Sequence, residues 1–187
     1  GIAPAANLTL TGDISWLDSW GLSFKNGKAQ ASTANSKKLH NLITSTAEFS
    51  VEAWLTPNNV VQEGPARIVS YSAGDNDRNF TLGQSMYNYD FMLRTDTSSA
   101  NGEPALSTPD NDEVLQATLQ HVVITYTASQ GRRIYVNGQL INIVDEDISP
   151  LASWDDSFAL ILGNEASNNH TWQGDIRLLA VYNRALT

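Results

Sequence analysis

Phe49-Ser50-Val51-Glu52-Ala53-Trp54-Leu55-Thr56-Pro57 carries Phe49, Val51, Ala53 and Leu55 at every second position. Successive side chains of a strand point to opposite faces, so these four share one apolar face. Pro57 ends the run, because proline has no N–H to give to a ladder. The same signature recurs along the chain. His121-Val122-Val123-Ile124-Thr125-Tyr126 is rich in β-branched residues. Arg132 to Val136 and Gln139 to Ile143 flank Asn137-Gly138, the dipeptide that suits a two-residue hairpin because both positions need positive φ. Further strands are expected at Trp20–Phe24, Ala66–Tyr71, Asn79–Gly83, Tyr89–Thr95, Ser157–Gly163 and Gly174–Tyr182. One segment reads as helical: Leu39, Leu42 and Ile43 recur at helical spacing behind Ser36 as a cap, giving a helix a turn or two long. About ten strands with no alternating helices exclude a parallel α/β sheet and point to an all-β, two-sheet antiparallel jelly-roll sandwich with one short helix.

The chain has 187 residues and shows neither an internal repeat nor a dividing linker, so one domain over residues 1–187 is expected. It has no cysteine, which removes disulfides and thiolate metal sites together. Eleven basic against twenty acidic residues give a net charge of −9. That balance argues against nucleic acid and anionic membranes, whose binding draws on basic patches. No apolar run approaches the roughly 18 residues of a membrane span. The chain opens at Gly1 and stops at Ala185-Leu186-Thr187, and it is expected to be a piece excised from a longer protein. The polar stretch Thr95 to Glu113 is the longest loop candidate.

Four motifs carry a resemblance. Phe49-Ser50-Val51-Glu52-Ala53-Trp54 is similar to the F-[ST]-[IV]-E-A-W strand of bacterial laminin G-like, concanavalin A-like lectin/glucanase domains. Gln120 to Tyr126 is similar to their W-H-H-V-A-V-T-Y strand, and Ile134-Tyr135-Val136-Asn137-Gly138 to their L-Y-V-N-G hairpin. Trp172-Gln173-Gly174-Asp175-Ile176, with Val181-Tyr182-Asn183-Arg184-Ala185-Leu186, resembles their closing strand. The resemblance implies a jelly roll, an extracellular, periplasmic or cell-surface home, other domains in a parent chain, and a structural Ca2+. The two chain ends lie side by side in such domains, so Asp13 and Asp175 are the candidate calcium ligands. Asp75-Asn76-Asp77 is a second acidic turn, and turn-forming Asx clusters are common without any metal.

Glycoside hydrolysis needs two carboxylates about 5 to 9.5 Å apart. Enzymes of this fold carry them on one strand as E-x-D-x-E or E-x-D-x-x-E, and this chain has neither pattern. Asp145-Glu146-Asp147 reads as a solvated turn. His40, His121 and His170 are scattered, without metal-ligand spacing or a G-x-S-x-G elbow. Catalysis is therefore not expected. Sugar recognition needs aromatic faces and planar polar groups. Tyr87 and Tyr89 in a tight turn, Trp154 in a loop and Trp172 at the start of the closing strand are candidates, whereas Trp54 and Trp20 fall inside strands and are assigned to the core. Strand alternation also places Arg94 with Asn79 and Thr81 on one sheet face, a candidate concave binding surface. The expected function is a non-catalytic carbohydrate-binding module with a polysaccharide or glycan partner. The alternative is a structural or protein-adhesion domain without a sugar site.

Overall fold

The strands in chain order are β1 (Leu8–Trp16), β2 (Leu22–Ala31), β3 (Glu48–Pro57), β4 (Ala66–Gly74), β5 (Asp77–Ser85), β6 (Asn88–Leu93), β7 (Leu106–Ser107), β8 (Gln120–Thr127), β9 (Gly131–Val136), β10 (Gln139–Leu140), β11 (Ala159–Leu162) and β12 (Gly174–Tyr182), with one helix, α1 (Thr33–Thr46). These come from a computed structural model that describes residues 5–18, 20–110, 113–141, 145 and 148–187. Glu146 and Asp147 of the acidic turn, and the last two residues of the expected strand 139–143, lie outside the described residues. All the pairings are antiparallel.

Hydrogen bonding runs in the order β10-β9-β8-β3-β12-β2-β11-β4-β5-β6-β7, with β1 paired to β2. This single path curls into a sandwich because β2 belongs to both leaves. Its residues Leu22 to Phe24 pair with β12, and Ala29 and Gln30 pair with β11, on the same edge. β11 and β12 thus follow one another along β2, and residues 163–173 leave the sheet between them. The first leaf is β10-β9-β8-β3-β12 and the second is β11-β4-β5-β6-β7. The chain is a jelly-roll β-sandwich, as its alternation predicts.

The core lies where the leaves meet. Phe49, Val51, Ala53 and Leu55 are each fully buried. Phe49 sits at the centre: its ring is 5.3 Å from Phe80 and 6.0 Å from Phe91 of the opposite leaf, and 6.3 Å from Tyr126 of its own. Such tilted and edge-on contacts suit the ring quadrupole. Asn137 (φ 51°) and Gly138 (φ 79°) make the tight turn between β9 and β10. The helix is longer than expected and capped earlier. Ser32, not Ser36, is the cap, accepting the Asn35 N–H at 3.1 Å. Ser36 is buried and hydrogen-bonds the strands, accepting the Leu160 N–H at 3.0 Å. Leu39 and Ile43 face the core, so α1 plugs one end of the sandwich. β1 and β7 go beyond the strands expected from the sequence. β1 carries Leu8, Leu10, Ile14 and Trp16 at alternate positions but is an edge strand exposed along most of its length, and β7 is only two residues long.

Candidate functional site

β5 and β6 are neighbours, with Thr81 opposite Met92, and Arg94 donates its N–H to the Asn79 carbonyl at 2.9 Å. The expected juxtaposition of Asn79, Thr81 and Arg94 is therefore real, but it is not an open surface. Loop 95–105 folds over this face, with Ala100 and Gly102 accepting from the Arg78 and Leu93 N–H groups. Asn79 is fully buried and clamps Asp155 through its side-chain amide in both directions. Thr81 is fully buried between Ser70 and Arg78, and Arg94 is half-buried. Three of the four aromatic candidates are likewise structural. Tyr89 is buried and donates to Gln120 Oε1 at 2.8 Å. Trp154 packs against Phe49, Tyr71 and Phe80 and donates its indole N–H to the Arg94 carbonyl at 2.8 Å. Trp172 is fully buried, with its N–H on Gln84 Oε1 at 3.0 Å. A buried indole finds an acceptor, and these two have theirs inside the fold. Tyr87 is exposed in the β5–β6 turn.

Asp13 lies on β1 opposite Asn26, and Asp175 lies on β12 opposite Ser23. β1 and β12 flank β2 on opposite edges, and the two positions are three residues apart along it. Strand geometry then separates their Cα atoms by roughly 14 Å, too far for one calcium ion whose ligand oxygens sit at about 2.3–2.6 Å. Among the described residues no group of three His, Asp or Glu could hold a metal. Asp75 is tied to the 163–173 loop instead. Ser167 and Asn169 hydrogen-bond its carboxylate and hold it below the usual aspartate range.

Under that loop lies a buried ion cluster. Glu165 is fully buried, with Oε2 3.4 Å from Arg67 Nε and 3.6 Å from Arg78 Nη1. Its Oε1 accepts from Ser72 Oγ and the Ala166 N–H. Burial, then repulsion from Arg67, pushes Arg78 down to about 10. Two arginines against one glutamate fasten the 163–173 loop to the second leaf.

The accessible chemistry is on the outer face of the first leaf. Because Phe49, Val51, Ala53 and Leu55 point inward, Glu52, Trp54 and Thr56 point outward. Cross-strand partners share a face, and the register builds three rows around these residues. Tyr135, Val123, Glu52 and Ala180 form one; His121, Trp54 and Leu178 the next; Thr56, Asp175 and Ser23 the third. Trp54 is 38% exposed, against the expectation of a core role, and Trp20 is 56% exposed beyond the start of β2. The indole of Trp54 stacks on His121, ring centres 4.8 Å apart at 23°, so its other face and edges are what solvent reaches. Glu52 is fixed by two partners, His121 Nε2 at 2.8 Å and the Tyr182 hydroxyl at 2.6 Å. The Tyr182 hydrogen bond, partly offset by burial and aided by His121, holds the Glu52 carboxyl below the ordinary glutamate value; the same bond raises Tyr182. The result is an oriented carboxylate beside an exposed indole. The sequence contained the needed signal: the alternation that buried Phe49 also turned Glu52 and Trp54 outward. Only the register shows that His121 and Tyr182 flank them.

A family model described as the concanavalin A-like lectin/glucanases superfamily matches residues 26–187. The chain belongs to this superfamily. No curated protein matches it. Solved structures similar to this concanavalin A-like chain include the binding domain of botulinum neurotoxin DC in complex with SialylT (TM-score 0.71, 17% identity) and with rat synaptotagmin II (TM-score 0.70, 17% identity). Another is from botulinum neurotoxin type C, described as dependent upon interaction with two ganglioside molecules to enter cells (TM-score 0.72, 15% identity). Each covers 97% of this chain, while this chain spans only 44% of each of them. At such identities the likeness is one of fold. The first two of these structures are described as binding domains, and a fold of this kind hosts many functions.

Proposed function

We propose that this chain is a non-catalytic carbohydrate-binding module of a larger secreted bacterial protein, and that it takes glycan on the outer face of the first leaf. The carrying observation is the exposed Trp54 beside the oriented Glu52 carboxylate. An indole offers a flat apolar surface to the C–H face of a sugar ring, and a fixed carboxylate accepts its hydroxyls. The solved neighbours include binding domains in complex with SialylT and with rat synaptotagmin II, which supports a binding role for this sandwich. Glu52 is held ionised by His121 and Tyr182, and neither of these is a carboxylate with which it could act as a glycosidase pair.

Affinity electrophoresis against a panel of polysaccharides, together with a glycan array, tests the reading. Wild-type protein is expected to be retarded by at least one polysaccharide, and Trp54→Ala to lose at least about tenfold in affinity with an unchanged far-UV spectrum. Failure of every glycan to bind would overturn it. A protein-adhesion role is favoured by one observation, the exposed Trp16 and Trp20 near one end of the sandwich. In that case Trp16→Ala and Trp20→Ala, not Trp54→Ala, would abolish partner binding.

A further inference from the structure

The outer face of the first leaf holds two hollows, one on each side of Trp54. The larger is a cleft of about 520 Å³ whose polar lining is Ser23, Lys25, Thr56, Asn58, Gln173 and Asp175. The smaller, about 290 Å³, is lined by Glu52, His121 and Tyr135 with the C-terminal Leu186 and Thr187. Thr56, Asp175 and Ser23 are one cross-strand row, and Glu52 and Tyr135 belong to another. Trp54 stands in the row between them, and its row partner His121 borders the smaller hollow.

The two hollows differ in the state of their polar groups. In the smaller, the carboxylate is already oriented by His121 and Tyr182. In the cleft, the Ser23 and Thr56 hydroxyls, the Lys25 ammonium and the Asp175 carboxylate have no side-chain hydrogen bond or ion pair among the described residues. The polar residues that the second leaf buries or ties to its loops behave otherwise: Asn79, Thr81, Asp75, Asp90 and Glu165 are all committed to partners. Four convergent donors and acceptors without internal partners are solvated in the free protein and open to a ligand's hydroxyls.

We propose that the cleft and the hollow are subsites of one path, and that the path takes an unbranched, uncharged polysaccharide across Trp54. This deepens the carbohydrate-binding reading and rests on it. The length argument comes from β3. Glu52 and Thr56 are four residues apart, about 13 Å at the strand rise, so no single sugar ring reaches both while a chain does. The charge argument comes from the lining. Glu52 and Asp175 stand at the two ends, Lys25 is the one basic residue in the cleft, and the whole chain carries −9. A uronate or sulfated polymer would be repelled along this path, whereas hydroxyls are served by carboxylates, hydroxyls and amides alike.

The test uses barley β-glucan, glucomannan, pullulan and hydroxyethylcellulose as neutral linear probes and polygalacturonate as the anionic one. Retained neutral polymers are then replaced by their own oligosaccharides in calorimetric titrations. The tetrasaccharide is expected to bind at least about tenfold more tightly than the monosaccharide, because a second subsite adds its own free energy. Asp175→Ala and Thr56→Ala are expected to remove that gain while monosaccharide binding stays within about twofold. A urea midpoint matching wild type shows that these variants remain folded. Affinity independent of chain length, or an Asp175→Ala variant that binds the tetrasaccharide like wild type, overturns the path and leaves the carbohydrate-binding reading standing. Preference for polygalacturonate overturns the uncharged class. Failure of all glycans, on this panel and on the array, defeats the carbohydrate reading itself.

Discussion

Replacing Glu165 by Gln preserves size and the Oε1 acceptor used by Ser72 and Ala166, but removes the charge that faces Arg67 and Arg78. Arg67 is 2% exposed and Arg78 fully buried, so water cannot replace the lost counter-ion. Removing one partner of a buried ion pair costs about 3–5 kcal/mol, because it leaves an uncompensated buried charge. Here Arg78 keeps hydrogen bonds to Asn101 and Thr81. Asp75 and Glu103 still attract both guanidiniums at longer range. The lower end, about 3 kcal/mol, is therefore expected. For a chain of this size that corresponds to a fall in Tm of about 6–12 °C. Urea unfolding should show a midpoint lower by about 1 M at unchanged slope, taking a slope near 3 kcal/mol/M. The double variant Glu165→Gln with Arg67→Met should recover at least about 1 kcal/mol, since it removes one of the two unpaired cations. A Glu165→Gln variant within about 0.5 kcal/mol of wild type would refute the reasoning. It would mean that the cluster is not held together by charge.

Gly163, at φ 79°, leads out of β11, and a Cβ there would overlap the Phe24 ring in the core. Gly163→Ala is expected to cost more than about 2 kcal/mol from backbone strain and overpacking together, read as a lower urea midpoint. Gly138→Ala also has positive φ (79°) but meets nothing within 4 Å, so its cost should be about 1 kcal/mol; equal penalties at the two sites would contradict this. Glu52 has a carboxyl held below the unfolded glutamate value of about 4.3. Its contribution is present above that value and is lost as the pH falls through the folded pKa. Tyr182→Phe removes the largest cause of that depression. The urea midpoint of this variant should therefore fall less steeply than wild type between pH 5 and pH 3, roughly the range in which carboxylates titrate, and parallel profiles would argue that the hydrogen bond is not formed in solution.

Sequence alone determined the sandwich. Period-two alternation at Phe49 to Leu55 states which face is buried, and the Asn137-Gly138 turn states where the chain reverses; both are local properties that backbone geometry enforces at each residue. It also carried the outward direction of Glu52 and Trp54, although a tryptophan inside a strand reads as a core residue. Tertiary structure decided the rest. Asn79 and Thr81 point away from the central core as alternation requires, yet loop 95–105 and the turn at Asp155 cover them. Trp154 and Trp172 leave loops and enter the core, because a large apolar ring gains more from burial than its sequence position suggests. Asp13 and Asp175 come from the two ends of the chain but sit on opposite edges of β2. In each case alternation reports only which way a side chain points from its own strand. What covers that face, and which strand lies beside it, depends on long-range packing, and that is why the row of His121 and Trp54 beside Glu52 became visible only in the folded chain.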